Sequence, residues 1–309
     1  MANTTRLNVL ITGASSGFGK MIAQTLAKAG HRVFATMRGV DGKNAKAARE
    51  SREWGRREGV AIEVLELDVR DEASVEAAVK AIVASAGGID VVVNNAGVLA
   101  IGLLEAFSIE QVRRLFDANV FGALRVNRAV LPYMRERRSG LLIYISSTAA
   151  RVCSPFIGSY NAAKAASESI AETLRYELAS FGIESAIVEP GAYLTGFERK
   201  AEAPAGKERL AGYGPMAEAP RQVFAELEAR LSGPGAPDPR EVADAVKELI
   251  ETPAGRRPLR TVVGTIAVKG VADLNKAAEK SQSEFMRSMG MSSGPAGPEA
   301  PVGSPVTGA

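Results

Sequence analysis

The 309-residue sequence predicts an α/β fold, a doubly wound parallel sheet of seven strands with helices on both faces. Two observations carry this. Short β-branched runs alternate with longer stretches of helical period, as crossover helices between parallel strands require. The first of those runs also passes directly into a glycine-rich turn and then a helix, the arrangement that opens such folds. Taken in order, strands are predicted near 7–12, 32–36, 61–67, 89–94, 140–146, 183–189 and 259–263. Helices are predicted near 17–29, 43–57, 71–85, 108–137, 158–181 and 239–251. One domain over 1–291 accommodates all of them.

Composition narrows the function. With 46% hydrophobic and 24% charged residues and a formal net charge of +3, the chain reads as an ordinary globular protein. Its densest basic run, Arg135-Glu136-Arg137-Arg138, is short and broken by an acid, so nucleic acid is not an expected partner. A single cysteine, Cys153, excludes an intramolecular disulfide and any multi-cysteine metal site; no metal is expected. The lone histidine, His31, follows Gly30 in a helix-to-strand turn, which leaves histidine-dependent triads without a base. No basic leader and no run of about 18 apolar residues is present, so a cytoplasmic protein without a membrane segment is expected.

Two stretches depart from the alternation. Residues 196–238 follow the sixth strand and carry Pro204, Pro215, Pro220, Pro234 and Pro237, with a helical patch near 216–231. An insertion there overlies the crevice at the carboxyl ends of the strands and reads as a substrate lid, or as a solvated excursion without a role. Residues 292–309 are mostly Gly, Pro, Ser and Ala and are expected to form a disordered tail.

The glycine-rich turn is Gly13-Ala14-Ser15-Ser16-Gly17-Phe18-Gly19. Glycines let the backbone approach a pyrophosphate, and the free N–H groups at the helix start meet its charge. At the end of the second strand, Thr36-Met37-Arg38 offers no acid for a ribose 2′-hydroxyl and places a cation where a 2′-phosphate would lie, although Asp41 is an alternative ribose partner. Asp68 closes an apolar strand and is either a helix cap or a ligand group. Tyr160 and Lys164 are four residues apart at the start of a helix and project from one face, where an ammonium favours the phenolate. Ser147 stands thirteen residues before the tyrosine at a strand end, with Ser146 as the alternative bearer of the hydroxyl. Asn119, inside the long helix at 108–137, is an amide facing a neighbour or a local kink.

These motifs, in this order, resemble the short-chain dehydrogenase/reductase family over about residues 5–265, with Val33 to Arg38 and Leu67 to Asp71 similar to its hydroxysteroid and retinol dehydrogenase branch. The family's Thr-Gly-x-x-x-Gly-x-Gly is met by Thr12 through Gly19, its Asn-Asn-Ala-Gly by Asn94 through Gly97, and its Pro-Gly-x-x-x-Thr by Pro190 through Thr195. The resemblance implies a Rossmann fold and hydride transfer between a nicotinamide cofactor and a ketone, aldehyde or alcohol. NADP(H) is expected ahead of NAD(H). The implied catalytic residues are Asn119, Ser147, Tyr160 and Lys164, with the Asn119 backbone carbonyl holding a relay water. The implied cofactor contacts are Gly13, Ser15, Ser16, Gly17, Phe18, Gly19, Arg38, Asp68, Val69, Asn95, Ala96, Gly97, Tyr160, Lys164, Pro190, Gly191, Tyr193 and Thr195. Val98, Leu99, Cys153, Phe156, Tyr193 and Phe197 are the expected substrate wall, mostly apolar and suited to a lipophilic or aromatic carbonyl. A homodimer or homotetramer is expected through 108–137 and 158–181, with Val120, Leu124, Leu131, Ile170 and Leu174 among the candidate interface residues. The alternatives are a sugar-nucleotide epimerase or dehydratase, which needs a larger second domain, and an NADP(H)-binding sensor or scaffold that does not turn over.

Overall fold

A computed structural model describes residues 6–266 and 268–291; the expected tail at 292–309 lies outside the described residues. Seven strands, β1 (Asn8–Ile11), β2 (Arg32–Met37), β3 (Ile62–Glu66), β4 (Val91–Asn94), β5 (Gly140–Ile145), β6 (Ile183–Pro190) and β7 (Arg260–Val263), form one sheet in the order β3-β2-β1-β4-β5-β6-β7. Every neighbouring pair is parallel. Successive side chains of a strand point to opposite faces, and the core divides accordingly. Val9, Ile11, Val33, Val93 and Ile143 face one layer, and Leu10, Phe34, Val92 and Leu142 face the other.

Helices α1 (Gly17–Lys28), α2 (Ala45–Glu58) and α3 (Glu72–Ala86) each start within two residues of expectation. Asp71 caps α3 by accepting from the backbone of Ala73 and Ser74. That settles which acid is the cap and leaves Asp68 free of that task. The long helix expected at 108–137 is α4 (Ile109–Phe116) and α5 (Gly122–Arg137) joined by a π-helical turn, Asp117–Phe121. Next comes α6 (Gly158–Glu177). The excursion at 196–238 holds a 3-10 turn at Glu198–Lys200, a short α7 (Lys207–Ala211), a second 3-10 turn at Gly214–Glu218 and α8 (Ala219–Leu231). After α9 (Arg240–Glu251), the sequence reading missed α10 (Val268–Ser288) altogether. Only Val271, Asn275 and Met286 of that helix are buried, too sparse a stripe to announce itself by period.

His31 is buried in the turn before β2 and accepts from the Leu7 backbone, a packing role. Val120 and Leu131, candidates for an interface, are buried within the protomer, whereas Ile109 and Phe121 of the same helical run are exposed. No helix among the described residues is long and apolar enough to cross a membrane.

A buried polar cluster joins α6, β6, β7 and α10. Arg260 lies 3.2 Å from Glu168, 2.7 Å from Glu172 and 3.6 Å from Glu189, and Asn275 donates to Glu189. Three carboxylates face one guanidinium, Glu168 and Glu189 buried and Glu172 partly exposed. Burial, with the negative Glu168 beside it, pushes the Glu189 carboxyl up to about 8. The folded state therefore holds a proton that the unfolded chain releases above a carboxylate's ordinary pKa of about 4.3. Stability should fall as pH rises from about 4.5 toward 8. Glu189→Gln, neutral throughout, should show a smaller drop in melting temperature across that window than the wild type. Parallel slopes in thermal melts of the two proteins between pH 5 and 8 would show that Glu189 is ionised in the fold.

Candidate active site

The direction of chain crossover reverses between the neighbouring strands β1 and β4, which opens a crevice at their carboxyl ends. The structure has a cavity of about 420 Å³ there. Its floor is the glycine turn. Gly13 has φ +69°, and a Cβ on it would meet the Ala96 Cα at 2.8 Å. Only glycine lets the turn and the end of β4 lie so close. Gly17, with φ +56°, starts α1. Ser15, Ser16, Gly17 and Phe18 line the cavity, whereas Gly19 does not. A Cβ on Gly19 would meet the Gly13 carbonyl oxygen at 2.6 Å, so it serves packing under the turn.

Thr12 braces this floor. Its Oγ1 accepts from the backbone N–H of Asn95 and of Ala96, both at 3.0 Å. The Asn95 amide donates back to the carbonyls of Thr12 (2.8 Å) and Gly13 (3.2 Å). Asn95, Ala96 and Gly97 all reach the cavity, but the Asn95 amide is committed to the protein. Asn94 is structural, donating to buried Asn127 at 3.0 Å.

At one end of the cavity stand Arg38, Lys43, Asn44, Asp68, Val69 and Arg70. Asp68 is chelated by Arg70, whose Nη2 donates at 2.9 Å, while Arg38 lies 3.9 Å away. The Arg70 hydrogen bonds hold the Asp68 carboxyl below the usual range. Partial burial, with Arg38 and Arg70 as neighbours, pulls the Lys43 ammonium down. The three cations exceed the one carboxylate among them, a rim built for an anion. The sequence reading found Arg38 and missed Lys43 and Arg70, which stand in loops beside it. Asp41 is exposed and off the cavity wall.

At the other end are Tyr160 and Lys164. The first two turns of α6 aim both inward, and the Lys164 Nζ donates to the Ile145 carbonyl at 2.7 Å and lies 5.5 Å from the Tyr160 ring centroid. Burial pushes the Tyr160 phenol up to about 12, partly offset by its hydrogen bond with Ser147. Burial pulls Lys164 down to about 8, opposed by the negative Glu168 one turn on. The sequence reading expects a lowered phenol, whereas burial raises it. Of the two serines, Ser146 touches the cavity but commits its hydroxyl to Glu168 at 2.6 Å, and Ser147, just behind the wall, is the one hydrogen-bonded to Tyr160.

Asn119 lies in the π-helical turn, a feature that frequently marks functional sites. Its side chain accepts from the Val98 N–H (2.7 Å) and donates to the Val98 carbonyl (2.9 Å), pinning the segment after Gly97. Its own backbone carbonyl accepts from the Ser167 hydroxyl at 2.8 Å, one turn beyond Lys164.

Val98, Leu99, Thr195 and Phe197 complete the wall, with the Phe197 ring 6.3 Å from that of Tyr160. Other expected wall residues lie elsewhere. Tyr193 is 8% exposed, packs edge-on against Phe18 and donates to Glu241 at 2.8 Å, so it supports the glycine turn from beneath. Pro190 ends β6 and Gly191 continues its backbone pairing to Val263, both behind the cavity. Cys153 and Phe156 line a separate surface groove with Leu104 and Pro155. Phe156 has φ +68°, uncommon for a bulky side chain, and its carbonyl accepts from the Gly102 N–H at 2.8 Å.

Comparison with known proteins places these features in context. The short chain dehydrogenase profile matches residues 7–205. Human retinol dehydrogenase 8 is 35% identical over 256 residues, covering 82% of this chain and 79% of that one. The 3-ketodihydrosphingosine reductase of Bacteroides thetaiotaomicron is 40% identical over 189 residues, covering 61% of this chain and 65% of the reductase, under two thirds of its length. A short-chain dehydrogenase structure from Streptomyces avermitilis superposes with a TM-score of 0.73 at 33% identity, over 92% of this chain and 98% of that one. The alcohol dehydrogenase of Thermococcus sibiricus, solved with 5-hydroxy-NADP, gives 0.66 at 26% identity, over 84% and 97%.

The Thr12 brace has a measurable consequence. Thr12→Val keeps the volume but orphans two N–H groups, at about 1–3 kcal/mol each. The variant should unfold at a distinctly lower denaturant midpoint, and Thr12→Ser should sit close to wild type. A Thr12→Val midpoint equal to wild type would show that the brace adds nothing.

Proposed function

The chain belongs to the short-chain dehydrogenase family, an oxidoreductase family, and on that footing we propose that it is an NADP(H)-dependent reductase or dehydrogenase interconverting a ketone or aldehyde with the corresponding alcohol. One observation carries the reading: a single cavity has a glycine cradle and cationic rim at one end and Tyr160 and Lys164 at the other, with Ser147 hydrogen-bonded to Tyr160 just behind the wall.

The residues fit the cofactor. The close approach of Gly13 to Ala96 and the start of α1 suit a diphosphate, Arg38 and Lys43 suit a 2′-phosphate, and Asp68 and Val69 flank the place of an adenine. Thr195 is the group for the nicotinamide carboxamide. When bound, NADPH supplies the hydride. Tyr160 provides the proton. Its phenol, protonated at neutral pH, donates O–H to the carbonyl oxygen as that oxygen becomes an alkoxide, and takes the proton back in alcohol oxidation. The Ser147 hydroxyl shares the same oxygen and orients it. Lys164, still charged at pH 7, stabilises the phenolate left behind, and the Asn119 backbone carbonyl, which accepts from Ser167, would hold the water through which a proton arrives from solvent.

Val98, Leu99 and Phe197 make the substrate end apolar and support a lipophilic carbonyl. Retinol, an alcohol, and ketodihydrosphingosine, a ketone, named in two relatives, are both lipophilic. The excursion at 196–238 is the lid over this end. A homo-oligomer through α4, α5 and α6 fits the exposed Ile109 and Phe121. The single cysteine supports the cytoplasm as the compartment.

Tyr160→Phe removes the proton donor and its hydrogen bond with Ser147 while keeping the ring. Turnover of a panel of lipophilic ketones and aldehydes, followed at the nicotinamide absorbance, should drop about 10²–10⁴-fold while NADPH still binds. Retention of a tenth of wild-type kcat would remove Tyr160 from the mechanism.

Arg38→Ala should cost NADPH about 10- to 150-fold in kcat/KM, one charge-assisted contact, and leave NADH nearly unchanged. A wild type that uses both cofactors equally, or a variant with an unaltered NADPH-to-NADH ratio, would assign the discrimination to another group.

A further inference from the structure

Lys200 belongs to the lid segment yet reaches the glycine turn. Its Nζ donates to the Ser16 hydroxyl at 3.1 Å, across 184 residues of sequence, and its side chain forms part of the cavity wall. The position is fixed from both sides. Upstream, Thr195 lies against Gly17, its Cβ 3.5 Å from where a Gly17 Cβ would stand. Downstream, Glu202 forms a parallel bridge with Ala100, its N–H donating to the Leu99 carbonyl at 2.8 Å and its carbonyl accepting from Ile101 at 3.0 Å. The Glu202 carboxylate is held by Gln111 at 2.9 Å and Arg114 at 2.6 Å.

The ammonium so placed has no carboxylate partner among the described residues, whereas its neighbour Arg199 pairs with Glu198 and Glu228. Ser16 is the N-cap of α1, its side chain makes no capping bond, and the first turn of that helix contains no acid. A cation facing the positive end of a helix is electrostatically unfavourable unless an anion comes between them.

We infer that Lys200 is a lid-borne clamp on the diphosphate of the dinucleotide, a cationic contact beside the α1 N-terminus, so that cofactor binding tightens the docking of the lid segment. The inference rests on the dinucleotide reading of the cavity and adds to it a residue outside the glycine turn. It also separates two kinds of cation. Lys200 answers to the diphosphate common to NADPH and NADH, and Arg38 and Lys43 answer to the 2′-phosphate of NADPH alone.

Titration calorimetry on the full chain tests this with NADPH, NADH and 2′-AMP as the probes, for wild type, Lys200→Ala, Lys200→Arg and Arg38→Ala. Lys200→Ala should weaken NADPH and NADH by the same factor, about tenfold or more, leave 2′-AMP unchanged, and recover most of the loss as Lys200→Arg. Arg38→Ala should weaken NADPH and 2′-AMP and spare NADH. Limited proteolysis supplies a second readout: NADPH should slow cleavage within 196–238 of wild type and not of Lys200→Ala. Unchanged dinucleotide affinity in Lys200→Ala, a loss confined to NADPH, or equal protection of the lid in both proteins would overturn the clamp while leaving the dinucleotide site standing. A wild type that binds neither dinucleotide would overturn both. Matching melting curves for the wild type and the exchanged proteins verify that the fold is intact.

Discussion

The hydrogen bond from the buried Lys164 ammonium to the Ile145 carbonyl fixes where α6 crosses the end of β5. Stripping water from such a charge costs several kcal/mol, so the helix settles only where a carbonyl and a nearby negative group offset the loss. Ile145 provides the first and Glu168 the second. Tyr160, Lys164 and Glu168 are four residues apart along one face of α6, so placing the middle one places all three. The serines follow from strand geometry. Consecutive side chains of extended backbone point oppositely, and with Ser146 drawn inward to Glu168, Ser147 turns toward Tyr160.

The molecule keeps its surplus charges of opposite sign apart. Carboxylates are gathered behind the sheet end around Arg260, and cations are gathered along the cavity around Arg38, Lys43 and Lys200. The buried group lowers its own excess by retaining a proton on Glu189. The cavity leaves its excess open, which is the physical basis for its attraction to an anion.

The sheet and most helices were legible because buried strands and amphipathic helices leave strong periodic traces, and the glycine turn because close backbone approach demands glycine. The reading failed where neither cause operates. Helix α10 buries too few residues to show a stripe, and Lys43 and Lys200 acquire their meaning from partners distant in the chain. Tyr193 was misplaced for the converse reason. It stands next to a recognisable motif, but a buried carboxylate acceptor, Glu241, draws its hydroxyl to the far side.

The π-helical turn at Asp117–Phe121 carries a lesson about phase. An α-helix advances about 100° per residue, and a π-turn accommodates one extra residue, so everything after it is rotated by roughly that angle relative to a continuous helix. A helical wheel drawn unbroken from 108 to 137 therefore describes neither half. Val120 falls within the break, and Leu131, outward on such a wheel, turns to the core. The run from Ile109 to Arg137 is two helices with separate clocks, and within the slip between them the Asn119 carbonyl is taken up by Ser167 of α6.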